Sequence, residues 1–233
     1  MTRKRINIIC NSAISIMLLI VFGLTYNFEI KSVYSNADYE PYYSGNSSNA
    51  NACLMINVYW GNDYIIPILE ILEANNIKTT FFIGGSWANK YPELLQNIYD
   101  AGHELGNHGY SHKDHDKLSK ESNQDEIFVT HQTIKSLLGV EMNLFAPPSG
   151  AYNSVTLSVA NSLGYRTIMW TKDSIDWRDQ NADLIYTRAT KNIKNGDLIL
   201  LHPTLKTAEA LQSIIDAYTN AGIKLTTVSE TIA

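Results

Sequence analysis

Short apolar runs alternate along most of the chain with longer stretches whose apolar residues recur every three or four positions. The short runs predict β-strands and the longer periodic stretches predict helices. The predicted strands cover residues 53–59, 79–83, 104–107, 144–146, 167–170, 198–201 and 224–227. The predicted helices cover residues 64–75, 91–101, 125–138, 154–163, 183–192 and 207–221.

Strands that alternate with helices in this way indicate a parallel sheet covered by helices. Because seven short units share one domain, the pattern favours the α/β class and a distorted, incomplete parallel (β/α) barrel of about seven strands. In such barrels the functional side chains follow the C-terminal ends of the strands. Polar residues at those positions are therefore candidates for function.

The N-terminal residues 1–37 differ from this pattern. Arg3, Lys4 and Arg5 precede an apolar run over 6–26 that is long enough to cross a bilayer as a helix. Such a segment is a signal peptide, with a cleavage site after Ala37, or an uncleaved membrane anchor, and the sequence leaves both open. Either reading predicts an extracytoplasmic protein, membrane-anchored or secreted. Residues 38–51 resemble a linker, and 52–233 form one domain.

Composition narrows the function classes. Hydrophobic residues make up 45% of the 233 positions, enough for a core. The formal net charge of −5 and the lack of a basic stripe argue against nucleic acid as a partner. The two cysteines, Cys10 and Cys53, do not make a disulfide framework, so the core must supply the stability.

Two histidines four positions apart, His108 and His112, follow the third predicted strand. If the chain turns helically there, both imidazoles lie on one side and can share a metal ion. The spacing alone fits two solvated loop histidines equally well. However, polar residues also follow the other strands, at 59–63, 147–152 and 173–177 and at His202, so they meet on one rim. This clustering favours a metal site in a barrel mouth.

Five segments resemble the motifs of the polysaccharide deacetylases, carbohydrate esterase family 4, in the same order along residues 52–233. They are residues 79–82, 102–112, 144–153, 173–177 and 200–202. The resemblance implies a hydrolase that removes N-acetyl groups from cell-wall glycan such as peptidoglycan or chitin-like oligomers. It also implies a divalent metal, commonly zinc, that polarises the amide carbonyl and activates water.

The resemblance assigns His108 and His112 as metal ligands and His202 as the general acid. Asp173 would orient His202 and keep it protonated. The implied substrate pocket consists of Tyr59, Trp60, Pro147, Pro148, Ser149, Trp177 and Leu200.

The first motif departs from the family, which has two adjacent aspartates there, a base and a metal ligand. Tyr59 and Trp60 occupy those positions, and Ala146 replaces the arginine that holds the base. An arginine facing a tyrosine would be an unpaired buried charge, so these losses are consistent with one another. Asp63 is a candidate replacement ligand, although an aspartate before a helix is more often an N-cap.

Two nearby residues are predicted to have no direct role in the site. His115 is interpreted as part of a solvated loop, and Asp176 as a residue that shapes its loop. Two functions remain open. The first, which the sequence favours, is an extracytoplasmic metal-dependent N-deacetylase with altered base chemistry. The second is a catalytically degenerate glycan-binding or scaffold protein on the same barrel. A purely structural anchored domain is a third reading, which the retained histidines disfavour.

Overall fold

The computed structural model describes residues 14–18 and 39–233, and the chain divides into two units, 1–38 and 39–233. In the first unit residues 14–18 are helical with exposed side chains. The rest of the apolar run 6–26 and the cleavage site predicted after Ala37 lie outside the described residues. Within 14–18 and 39–233, no helix has the length and apolar character needed to span a membrane.

A parallel sheet organises the second unit. Its strands are β1 Asn51–Val58, β2 Thr80–Ile83, β3 Glu104–Asn107, β4 Leu144–Phe145, β5 Arg166–Thr167, β6 Lys172–Asp173, β7 Leu198–Leu201 and β8 Lys224–Leu225. Their order is β5-β4-β3-β2-β1-β7-β6, with β8 beside β1, and every pairing is parallel. Because β5 and β6 do not pair, the barrel is incomplete, which confirms the predicted fold class.

Helices connect the strands and cover the sheet. They are α1 Ile65–Ala74, α2 Gly85–Lys90, α3 Pro92–Asp100, α4 Lys120–Leu138, α5 Ser154–Ser162, α6 Ala182–Thr190, α7 Leu205–Asn220 and α8 Val228–Thr231. Three 3₁₀ turns lie at Asn62–Tyr64, His115–Lys117 and Pro148–Gly150. Helix α4 begins earlier than predicted because Ser119 caps it and accepts a hydrogen bond from the Ser122 N–H.

Two hydrophobic clusters lie on opposite faces of β1, since successive strand residues point to opposite sides. Leu54, Ile56 and Val58 belong to the larger cluster, between the sheet and the helices. Cys53 and Met55 belong to the smaller cluster on the other face. Asn57 continues the alternation of Cys53 and Met55, so the strand aims it toward the same interior.

Residues 39–50, which the sequence assigned to a linker, run along the barrel. The Tyr42 N–H donates to the Thr167 carbonyl at 2.9 Å, and Met169 donates to the Tyr42 carbonyl at 2.8 Å. The Gly45 N–H donates to the Gly196 carbonyl at 2.8 Å. This segment therefore pairs with backbone just beyond β5, at the open side of the barrel, and leads directly into β1.

Candidate functional site

A cavity of about 550 Å³ opens where the C-terminal ends of the strands meet. Its lining residues are Asn57, Trp60, His108, His112, Ser149, Gly150, Trp170, Asp173, Trp177, Leu200 and His202. The structure thus brings together the three histidines singled out in the sequence.

His108 follows β3 directly and is 1% exposed. Its Nδ1 lies 2.7 Å from the Ala146 carbonyl. Because a carbonyl only accepts, Nδ1 carries the proton and Nε2 keeps its lone pair. Burial, reinforced by the neighbouring His112, holds the pKa of His108 well below its ordinary value. His108 is therefore a neutral acceptor near neutral pH.

His112 approaches His108 from a bent loop, so the condition of a helical turn between them is not met. The two ring centroids are 5.1 Å apart, with planes at 73°. His112 has a left-handed φ of 53°. Glu126 of α4 fixes the loop by accepting the N–H groups of Tyr110 at 2.8 Å and Ser111 at 2.6 Å. Burial is the largest of the effects that lower the pKa of His112.

The predicted orienting role of Asp173 is wrong, because Asp176 performs it. The fully buried Asp176 lies 2.8 Å from His202 Nδ1, and it also accepts the His202 backbone N–H at 2.6 Å. Thr207 donates a third hydrogen bond to it at 2.6 Å. Asp173 instead accepts the Ile175 N–H at 2.8 Å and stays on the cavity lining. The left-handed φ of 54° at Ile175 turns the chain so that Asp176 reaches the end of β7.

Aromatic rings occupy the two positions where the family resemblance expects aspartates. The Trp60 ring stacks on His202, with centroids 5.6 Å apart and planes at 6°. The Tyr59 ring lies 4.9 Å from the His112 ring, and its hydroxyl accepts a hydrogen bond from Ser86 at 3.2 Å. Each replacement ring therefore contacts one of the retained imidazoles.

Asp63 is neither of the things predicted for it. It is exposed in the turn Asn62–Tyr64 and makes no capping hydrogen bond. It lines a neighbouring cavity of about 460 Å³, together with Trp87 and Lys90, and not the histidine cavity. The left-handed Gly61, at φ 82°, turns the chain just before it, so Asp63 is wrong as a third metal ligand.

The donor set does not fit the metal site that the family resemblance implies. Zinc in proteins is held by at least three side chains. Within residues 14–18 and 39–233, no group of three His, Cys, Asp or Glu residues is placed to hold a metal. His108 and His112 offer two imidazoles, whereas Asp176 is committed to His202.

The remaining predicted residues fall into two groups. Ser149, Trp177 and Leu200 line the histidine cavity, whereas Pro147 and Pro148 do not, and Tyr59 lines the neighbouring cavity. Ser149 has a left-handed φ of 57° in the turn Pro148–Gly150.

His115 is not in a solvated loop. It is fully buried, and its Nδ1 lies 2.7 Å from Asn123 Oδ1. Sequence reasoning missed Asn57 and Trp170 as residues that line the cavity, and it missed Asp176 as the hydrogen-bond partner of His202. Asn57 could have been found from the sequence, because it is a polar residue inside an otherwise apolar strand.

Residues 45–168 match the family described as polysaccharide deacetylase. This chain belongs to the polysaccharide deacetylase family. It is 38% identical over 191 residues to the uncharacterized protein YlxY of Bacillus subtilis, covering 82% of this chain and 60% of that protein. It is 29% identical over 182 residues to the peptidoglycan-N-acetylmuramic acid deacetylase PdaA of Bacillus subtilis, covering 76% of this chain and 69% of PdaA. The chain thus spans about 60% of the length of YlxY.

Similar solved structures include a pseudoenzyme and a mutant of that pseudoenzyme. A carbohydrate esterase family 4 pseudoenzyme from Bacillus anthracis superposes with a TM-score of 0.82 at 35% identity, covering 84% of this chain and 69% of that one. A mutant of that pseudoenzyme, described as having restored enzymatic activity, gives a TM-score of 0.82 at 33% identity, covering 84% of this chain and 72% of that one. The family fold therefore accommodates loss of catalysis.

Proposed function

We propose that this chain is a catalytically inactive polysaccharide deacetylase-family protein that binds cell-wall glycan in the histidine cavity. The observation that carries the proposal is the stack of Trp60 on His202. A neutral ring lies against the imidazole that the family resemblance assigns as the acid, at a position where that resemblance expects a carboxylate. No three-residue metal group in the described chain compensates for the loss.

The lining of the cavity supports glycan as the ligand. Trp60 is 40% exposed and Trp177 is 53% exposed, so both rings offer aromatic surface to a ligand. Aromatic faces pack against the apolar faces of sugar rings, while polar side chains orient the hydroxyl groups. PdaA is named a peptidoglycan deacetylase, which makes peptidoglycan the first glycan to test.

The proposal places the domain outside the cytoplasm, attached through residues 1–37 or released after cleavage. The basic residues Arg3, Lys4 and Arg5 before the apolar run support this orientation. Fusion of alkaline phosphatase after the last residue should give an active reporter. An inactive phosphatase fusion, together with an active cytoplasmic reporter at the same position, would contradict the location.

Co-sedimentation of the purified protein with peptidoglycan sacculi tests binding directly. We expect the wild-type protein to sediment with the sacculi. The affinity should fall at least about tenfold in Trp177→Ala, because an exposed aromatic anchor dominates such contacts. We expect no acetate release from the same sacculi with added zinc. Absence of sedimentation would refute the proposal.

A metal-dependent N-deacetylase with altered base chemistry is the second candidate. The specific observation in its favour is the intact His202–Asp176 pair, which a pure binding site does not need. Acetate release by the wild-type protein above a His202→Ala control would establish this candidate and refute the inactive one.

A further inference from the structure

An unsatisfied amide oxygen marks the histidine cavity. Asn57 is 4% exposed, lines the cavity and lies in β1 on the side of the interior residues Cys53 and Met55. Its Oδ1 is buried and accepts no hydrogen bond from the part of the chain that the structure describes. Buried polar atoms without a partner cost stability and are rare, so this acceptor points to a ligand that donates.

A second acceptor lies in the same cavity. The Nδ1–H of His108 is used by the Ala146 carbonyl, so its Nε2 presents a lone pair. The hydrogen bond to the carbonyl by itself places the ring proton of His108 on Nδ1. The cavity thus offers two acceptors, Asn57 Oδ1 and His108 Nε2, to a donor-rich ligand.

Aromatic and acidic side chains complete the lining. Trp60, Trp170 and Trp177 bring three indole rings, and Asp173 brings a carboxylate. Within the described chain, no lysine or arginine lines this cavity. Arg178 lies over the Trp177 ring, 5.9 Å from its centroid, but pairs with Asp179. Acceptors, indole faces and a carboxylate without a lining cation are the features that bind an ammonium group.

We propose that the cavity selects a de-N-acetylated amino sugar, and that the protonated amine of a glucosaminyl unit occupies the space between Asn57, Trp60 and Asp173. An ammonium group has three N–H donors and a positive charge, which match two lone pairs and a carboxylate. An acetamido group has one N–H, carries no charge and brings a carbonyl that needs a donor. This inference rests on the proposed glycan-binding function and names the ligand class.

The chemistry also gives the protein a place in a reaction sequence. A glucosaminyl unit within a glycan arises by hydrolysis of its N-acetyl group. The reaction class that supplies the ligand is therefore the N-deacetylation after which the family is named. On this account the inactive barrel recognises the product of that chemistry.

Calorimetric titration of the purified full-length protein with two matched disaccharides tests the inference. The probes are chitobiose with both amines free and N,N′-diacetylchitobiose, at a pH near 6 where the amine is protonated. We expect the free-amine disaccharide to bind at least about tenfold more tightly, the range that desolvated cation–π contacts provide. Equal binding, or tighter binding of the acetylated disaccharide, would overturn the inference.

One pair of variants separates recognition from general attraction to an acidic protein. Asp173→Asn should lower the affinity for the amine disaccharide several-fold, whereas Asp63→Asn, which removes an exposed acid outside this cavity, should leave it unchanged. Equal losses in both variants would mean nonspecific attraction and would overturn the inference.

Asn57→Leu gives an independent readout. Removing an unsatisfied amide should weaken amine binding while leaving the thermal midpoint equal to or above that of the wild type. A merely structural Asn57 would lower the midpoint without changing the preference between disaccharides. If neither disaccharide nor sacculi bind the wild type, the proposed function fails as well. If only the acetylated disaccharide binds, the inference alone fails.

Discussion

Replacing Asp176 tests which aspartate holds His202. The carboxylate accepts three hydrogen bonds, two from His202 at 2.8 and 2.6 Å and one from Thr207 at 2.6 Å. In Asp176→Ala, all three donors lose their acceptor in a fully buried environment. Each buried donor that loses its acceptor costs about 1–3 kcal/mol. Relief of the buried carboxylate returns part of that loss, so we expect a net cost of about 3 kcal/mol.

The matched control is Asp173→Ala. Asp173 is only half-buried and accepts one hydrogen bond, from Ile175 at 2.8 Å. We expect its removal to cost about 1 kcal/mol, as for a typical single hydrogen bond. For a domain of this size, each kcal/mol lowers the thermal midpoint by about 2–4 °C. The two variants should therefore differ clearly in a single melting experiment.

Calorimetry measures the two midpoints, and the ¹⁵N shifts of the His202 ring report its hydrogen bonding. Asp176→Ala should change those shifts, and Asp173→Ala should leave them close to wild type. The reasoning fails if Asp173→Ala is the more destabilising variant, or if only that variant alters the His202 ring.

Three further predictions concern the walls of the site. Burial acts to raise the pKa of Glu126, but the Ser111 N–H and the other donors it binds hold that pKa below its ordinary value. The stabilisation by the Glu126 carboxylate is present above the ordinary pKa and is lost as the pH falls through the lowered pKa. In urea titrations Glu126→Gln should therefore be destabilising near neutral pH and should converge with the wild type in acid. Gly84→Ala would place a Cβ 2.4 Å from Tyr59 Cδ2, so we expect a loss of about 1–3 kcal/mol in the same titrations, and an unchanged urea midpoint would contradict this contact. Trp60→Asp should raise the affinity for zinc at least about tenfold in calorimetry, because even the loss of a residue that only hydrogen-bonds a metal ligand changes affinity by that factor. Unchanged affinity would show that position 60 cannot supply the third ligand.

Some elements could be predicted because their own residues determine them. Strands β3 and β7 match their predicted bounds, since each is a short run set off from its flanks. Strand β6 was missed because its two residues, Lys172 and Asp173, carry charges. Lys172 is buried there through its ion pair with Asp197 at 3.3 Å, a partner that local pattern does not reveal.

The local sequence pattern also could not decide which of the two aspartates in one motif orients His202. Asp173 is the last residue of β6 and Asp176 lies three positions later, and either carboxylate fits the role of an orienting group by residue type alone. The left-handed Ile175 decides between them, and a β-branched residue rarely adopts that conformation. Asp63 was misplaced for a similar reason, because Gly61 turns the chain before it.

The aromatic replacements fit the rest of the barrel mouth. Tyr59 needs the space that Gly84 leaves, and Ala146 is buried in the interior cluster while its carbonyl fixes the His108 tautomer. Without carboxylates at positions 59 and 60, burial dominates the electrostatics and lowers the pKa of His108. A neutral imidazole adds no positive charge to a cavity that already lacks lysine and arginine. The changes that remove the implied metal ligand and base thus leave a site whose charge is compatible with a cationic sugar.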